Sequence, residues 1–193
     1  MSSTPTDNND NGEDNDDNGN QPGGKGAPVA SPVIELTVGG ESTTDGDNAN
    51  GDLTVDFGFF HRASLGDRVW YDTDKDGIQE LGEGGVAGVV VTLYNALTNS
   101  VIATTTTDTR GLYLFDNLLP GDYIVGFTLP AGYSLSPANQ GNDDAKDSDA
   151  DPSTLRTAVT NLTSGEHDPT LDMGLFLPVP PAAIGDRVWY DAN

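Results

Sequence analysis

Residues Asp72 to Glu83 read DTDKDGIQELGE and follow directly on the apolar segment LGDRVWY, Leu65 to Tyr71. Carboxylates stand at positions one, three, five, nine and twelve of this run, with Gly77 at position six. A calcium ion takes six to eight hard oxygens at about 2.3–2.6 Å, so a short loop that wraps one must turn alternate side chains inward. It must also bend sharply midway, where glycine fits without strain. The spacing is that of an EF-hand calcium loop. It assigns Asp72, Asp74 and Asp76 as side-chain ligands, Ile78 as a backbone-carbonyl ligand, Glu80 as a ligand directly or through water, and Glu83 as the bidentate residue that closes the site. An aspartate-rich surface turn is the competing reading, but such a turn has no reason to fill every fixed position of the motif.

The flanks carry no helical signal. RVWY before the loop is β-branched and aromatic, and GVAGVVVTLY after it is valine-rich with glycine punctuation, so the loop joins two strands. The composition agrees. Hydrophobic residues make up only 35% of the 193 residues, with 24 glycines and 12 prolines, which favours a turn-rich all-β sandwich. Eight basic against 31 acidic residues give a net charge of −23, which excludes nucleic acid as a partner because little is available to neutralise phosphates. A chain so charged repels itself unless cations bind it. Without cysteine it has no disulfide, thiolate metal site or cysteine nucleophile, a composition compatible with a bacterial surface protein that uses calcium in place of disulfides. No apolar run approaches the ~18 residues that span a membrane, and the opening MSSTPTDNND lacks the pattern of a signal peptide.

Taken in order, residues 1–32 are mostly Asp, Asn, Gly and Pro, which reads as a disordered acidic tail or linker. From Val33 to Phe60 the text becomes strand-like, and an internal repeat appears. LTVDFGFF (53–60) matches PTLDMGLF (169–176), and SLGDRVWYD (64–72) matches AIGDRVWYD (183–191). The expected organisation is therefore the closing strands of one module at 33–60, a whole module at 63–178, and the opening strand of a third at 182–193, as in a tandem array truncated at both ends. Asp191, Ala192 and Asn193 would begin another calcium loop.

Within the whole module the expected strands are 65–71, 87–94, 100–107, 112–116, 122–129, 154–162 and 169–176. Seven short strands separated by turn signals predict an immunoglobulin-like Greek-key β-sandwich. Trp70 and Tyr71 are packing residues in this reading, with Tyr113, Phe115, Leu118 and Tyr123 as further core anchors. A second acidic cluster lies in GNDDAKDSDADPS, residues 141–153, where Asp143, Asp144, Asp147, Asp149 and Asp151 have only Lys146 to relieve them. Charges this crowded call for divalent ions or a loose loop, and one or two further calcium sites are expected here.

With these motifs in hand, GDRVWYDTDKDGIQELGEGGVAGVVVTLY, DTRGLYLFDNLLPGDYIV and GNDDAKDSDAD in that order, the module resembles the B-type repeat of serine-aspartate-repeat surface proteins, the SdrD B-like calcium-binding domains. The resemblance covers 63–178 and both partial modules. It implies a fold related to the collagen-adhesin B-type domain and tandem modules that form a calcium-stiffened stalk at the bacterial cell surface. It carries Asp72, Asp74, Asp76, Ile78 and Glu83 into an EF-hand-like site, and Asp144, Asp147, Asp149 and Asp151 into others. The chain departs from the family by showing no serine-aspartate tract, anchor motif or amino-terminal ligand-binding region. Related pilin domains often carry a Lys–Asn isopeptide bond; Lys25, Lys75 and Lys146 all fall in tail or loops, so none is expected.

Catalysis is hard to assemble. His61 and His167 read as turn residues, and no HExxH or GxSxG run is present. Paired carboxylates abound, but without an apolar pocket to raise one pKa. The expectation is no enzyme. It is a structural spacer whose partners are the neighbouring repeats of the same chain, with an adhesion module for a host protein or glycan as the alternative, and strand exchange between truncated modules as a third possibility.

Overall fold

The structure, a computed structural model, describes residues 21, 27–31, 33, 37–40, 57–178 and 185. Most of the expected tail at 1–32, most of the preceding module at 33–60 and nearly all of the following strand at 182–193 lie outside the described residues, as does the nascent loop at 191–193. Among the described residues there is no helix, and ten strands form. These are β1 (Ala63–Leu65), β2 (Val69–Tyr71), β3 (Val90–Asn95), β4 (Val101–Thr106), β5 (Phe115–Leu118), β6 (Gly121–Phe127), β7 (Ser134–Leu135), β8 (Thr160–Leu162), β9 (His167–Asp168) and β10 (Met173–Phe176). The protein is all-β and immunoglobulin-like.

The chain divides into two compact units. The first comprises residues up to Ser64 together with Asp116–Gly121 and Leu162–Glu166. Within it the Ser64 N–H donates to the Glu166 carbonyl (2.9 Å), the His61 N–H to Ser164 Oγ (2.8 Å) and the Arg62 guanidinium to the Asn117 carbonyl (2.9 Å).

The second unit, Leu65–Phe115, Asp122–Asn161 and the chain from His167 onward, holds the acidic loops. One of its sheets has the order β4-β3-β6-β8 and the other β2-β10-β7. The parallel pairing of β2 with β10, Val69 opposite Met173 and Tyr71 opposite Leu175, joins segments about a hundred residues apart. The core follows from alternation along these strands. Val69, Trp70, Val91, Leu93, Val125, Met173 and Leu175 are all fully buried, each large side chain contributing about 1.5–3 kcal/mol. Trp70 is thus a packing residue, as expected. Tyr71 is half-buried, edge-on to Tyr133 at 6.3 Å between ring centroids. Tyr113 lies edge-on to Phe127 at 5.7 Å and donates its hydroxyl proton to the Leu171 carbonyl, the partner a buried phenol requires.

Three strand expectations change in ways that have local causes. The segment 65–71 is two strands, because the chain turns at Gly66 (φ 150°), where a Cβ would lie 2.4 Å from the Tyr113 carbonyl oxygen. Of 154–162 only Thr160–Leu162 is strand. The Asp151 carboxylate captures the N–H groups of Ser153 and Thr154, and Leu155 sits at φ 59°, so the backbone spends its donors on a turn. The strand expected at 112–116 starts at Phe115 instead, after the Asp108 side chain has taken the N–H groups of Arg110 and Leu112.

Candidate metal centre

Strand β2 delivers Asp72 to its place. Its N–H donates to the Leu175 carbonyl on β10 (2.8 Å), which continues the parallel ladder by one residue and leaves Asp72 fully buried at the start of the loop. Its carboxylate then accepts the N–H groups of Lys75 (2.6 Å) and Gly77 (2.9 Å), folding the loop back on its first residue. Gly77 has φ 83°, and a Cβ there would lie 2.2 Å from the Pro137 carbonyl oxygen, so glycine is required twice over. Asp76 accepts the Ile78 N–H (2.8 Å). Glu83 closes the turn, its Oε1 accepting from the Thr73 N–H (2.7 Å) and hydroxyl (3.0 Å), and its Oε2 from the Glu80 N–H (3.1 Å). The chain leaves paired to its entry, Tyr71 N–H to the Gly84 carbonyl (2.7 Å). Apart from Glu83 Oε1, which accepts both Thr73 donors, each of these oxygens keeps a second lone pair, so the bonds orient the carboxylates and leave lone pairs free for an ion.

The loop at 141–153 is stitched to this one. Ile78 and Asp147 face each other in an antiparallel bridge made by Gln79 N–H to the Lys146 carbonyl (2.6 Å) and Ser148 N–H to the Gly77 carbonyl (3.1 Å). Neither bond uses the Ile78 carbonyl. Ser148 is fully buried, its hydroxyl accepting the Gly174 N–H (3.1 Å) from β10. The Asp149 and Asp172 backbones and the Asp149 carboxylate exchange two further bonds of 3.0 and 2.7 Å. Both loops are therefore anchored to the same strand.

Three triplets of carboxylates have oxygens within 4.8 Å of one another: Asp72, Asp74 and Asp76; Asp74, Glu80 and Glu83; and Asp144, Asp147 and Asp149. Two oxygens bound to one calcium ion lie at most about 5 Å apart, twice the bond length, so each triplet fits a single ion. Asp74 belongs to both triplets of the first loop and so links its five carboxylates into two adjoining groups. In the third triplet Asp147 is buried and its Oδ1 has no hydrogen-bond partner, a costly state that a cation would relieve. The donor set, carboxylate oxygen without nitrogen or sulfur, suits calcium better than a transition metal.

The electrostatics point the same way. Partial desolvation and then the neighbouring Asp74, Asp76, Glu83 and Asp72 push the Glu80 carboxyl up. Burial raises Asp147, with Asp144 adding to it. Burial takes Asp149 up to about 7 against the opposing hydrogen bond from Asp172. Asp151 stands apart from the triplets. Its Oδ1 is taken by Ser153 and Thr154, which hold its carboxyl below the usual range.

Sequence reasoning missed three contributors. Thr73 supplies two of the bonds that hold Glu83. The half-buried Asp67 and the fully buried Asp172 are neighbouring carboxyls, both raised by desolvation; Asp172 Oδ1 accepts the Arg68 N–H (3.0 Å), while its Oδ2 has no hydrogen-bond partner. The signal was available, since each of these two aspartates lies in one of the internally repeated motifs, GDRVWYD and LDMG.

A family model described as SdrD B-like domain matches residues 63–175. Among curated proteins, serine-aspartate repeat-containing protein E of Staphylococcus aureus (strain USA300) is 42% identical over 161 residues, covering 82% of this chain and 13% of the relative. Serine-aspartate repeat-containing protein F of Staphylococcus epidermidis (strain ATCC 12228 / FDA PCI 1200) is 44% identical over 146 residues, 74% of this chain and 8% of the relative. The chain thus spans about an eighth or less of the length of these relatives. Among solved structures, the minor pilin GBS52 of Streptococcus agalactiae superposes with a TM-score of 0.41 at 15% identity, covering 66% of this chain and 49% of that one. The shaft pilin SpaA of Lactobacillus rhamnosus GG gives 0.36 at 14% identity, with 63% and 51% covered.

Proposed function

Because this chain belongs to the SdrD B-like domain family, we propose that its module at 63–178 is a calcium-braced spacer of a bacterial surface protein, one link in a tandem stalk. The observation that carries this reading is the mutual stitching of the two acidic loops. Asp72–Glu83 and Asp143–Asp151 share a backbone bridge, share the anchor strand β10, and together present three carboxylate triplets of calcium dimensions. Calcium supplies positive charge and six to eight oxygen-coordination positions, at the 0.1–1 mM affinities usual for about that concentration of extracellular ion.

The chain's own residues do the rest. Asp72 fixes the first loop to the sheet, Gly77 lets it turn, and Glu83 locks its end to Thr73. Asp74, Asp76 and Glu80 complete the first oxygen cage with the Ile78 carbonyl. Asp144, Asp147 and Asp149 form the second, and Asp151 braces the turn behind it. Neutralising eight clustered carboxylates removes the repulsion that opposes an ordered loop. A braced loop pair at the end of β2 and β10 stiffens the module against bending, and the repeated GDRVWYD motif extends the same device to the neighbouring repeats of the chain.

Isothermal titration of calcium into the whole chain tests this reading. Binding with at least two ions per module, and loss of the tightest of them in Asp76→Ala, is the expected result. Absence of calcium heat at millimolar ion would sink it.

A further inference from the structure

The second triplet differs from the first in what lies beside it. Asp144 and Asp149 form part of the wall of a cavity of about 530 Å³, within the range of small-ligand sites, while Asp147, whose carboxylate lies within 4.8 Å of theirs, is buried with Oδ1 unpartnered. Three carboxylates binding through one oxygen each would leave three to five of a calcium ion's six to eight positions to other oxygens. The first loop meets that demand from its own residues. The second opens on the cavity, where solvent or a ligand's oxygens can supply the rest, since Asp151, the next carboxylate along, is spent on its own turn.

We infer that this cavity is a binding site for a neutral saccharide, held through a vicinal diol that completes the coordination of a cation on Asp144, Asp147 and Asp149. The inference rests on the calcium reading above. The rest of the lining selects the ligand class. Asp151 lines the cavity, and the chain's net charge is −23, so an anionic ligand is repelled. Arg156, the cation in the wall, is already committed: its guanidinium lies 4.0 Å from the Tyr94 ring centroid and donates to Asn99 Oδ1 at 2.7 Å. The hydroxyls of Thr154, Thr157, Thr160 and Thr170 in the wall already donate within the protein, which leaves Asn139 for hydroxyl hydrogen bonds, and the apolar wall of Ala138, Ala158, Val159 and Leu171 suits the C–H face of a pyranose. Adjacent hydroxyls offer two hard, uncharged oxygens at a spacing one ion can span.

The test uses saturation-transfer NMR on the whole chain with the methyl pyranosides of mannose, fucose, galactose and glucose, in millimolar calcium and in chelator, with calcium uptake of each sample measured by titration calorimetry. The expected result is transfer to at least one pyranoside in calcium that vanishes in chelator and in its 3-O-methyl ether, which breaks the adjacent diols. Ala158→Trp, at an exposed position, fills the cavity and is expected to weaken the saccharide at least about tenfold while calcium uptake stays unchanged. If Asp144→Ala removes one ion but no pyranoside gives transfer, the saccharide site is overturned and the calcium reading stands. If transfer persists in chelator, the site is overturned as well. If Asp144→Ala changes no calcium uptake, the calcium reading of this loop falls and the saccharide site falls with it.

Discussion

In the loop from Asp72 to Glu83 the carboxylates at both ends are held by backbone donors, Asp72 by Lys75 and Gly77, Glu83 by Thr73 and Glu80. In the loop from Asp143 to Asp151 the central carboxylate, Asp147, is just as buried but keeps an oxygen with no partner, and Asp149 is raised to about 7 by burial. The first loop is preorganised by hydrogen bonds and needs little rearrangement to take an ion. The second stores the cost of desolvated charge and regains it only when a cation arrives. On the proposed calcium reading, the same residue type would make one self-sufficient site and one that depends on its occupant, and the Ile78–Asp147 bridge links the two loops.

The largest way to break this comparison is Gly77→Ala. The left-handed φ and the clash with Pro137 together cost about 2–4 kcal/mol, a fall of roughly 10–20 °C in melting temperature even in chelator. Because the Gly77 carbonyl also accepts from Ser148, calorimetry is expected to show loss of calcium at both loops. Loss at the first loop alone would show that the bridge does not couple them.

Asp147→Asn sharpens the contrast by changing sign with the ion. In chelator it removes a buried, unpartnered charge and raises the melting temperature by a few degrees, about 0.5–1 kcal/mol. In calcium at ten times the dissociation constant it forfeits about 1.4 kcal/mol of stabilisation at the second loop. A variant less stable than the parent in chelator would contradict the view of Asp147 as a strained ligand.

The smallest effect is in pH. Burial holds Asp149 protonated up to about 7 in the folded state, whereas the unfolded chain releases that proton near pH 4. This contribution is whole below about pH 4 and is lost as pH rises through about 7, so the ion-free protein is expected to melt a few degrees higher at about pH 5 than at about pH 7.5. Calcium competes with the same proton and reverses the order. Differential scanning fluorimetry at both pH values, with and without chelator, reads the sign directly.

Much of this was legible in the sequence because the first loop is local. The proposed ligands, the glycine and the closing glutamate all fall within twelve residues of EF-hand spacing, so their register alone suggests the site. The all-β class and the buried Trp70 followed from β-branched runs and turn punctuation. What the sequence hid was non-local or spent on side-chain competition. Nothing in GNDDAKDSDAD announces that Asp147 will face Ile78 across some seventy residues, or that Ser148 will plug into β10. The truncation of the strand expected at 154–162 depends on Asp151 capturing two backbone donors, which a propensity reading of LRTAVTNL cannot see. The neighbouring carboxyls of Asp67 and Asp172 drew no reading from the sequence, and only their places in the repeated motifs hinted at a role.

The most direct test of the calcium-braced module is a thermal melt of the whole chain in chelator and in millimolar calcium, with Asp76→Ala beside it. The account predicts a melting temperature that climbs with calcium by several degrees, at least about 1.4 kcal/mol per occupied site at ten times its dissociation constant, and a smaller climb in Asp76→Ala. A melt that calcium leaves unmoved in the parent chain would contradict it, and the two stitched acidic loops would then be solvated turns on an ordinary spacer.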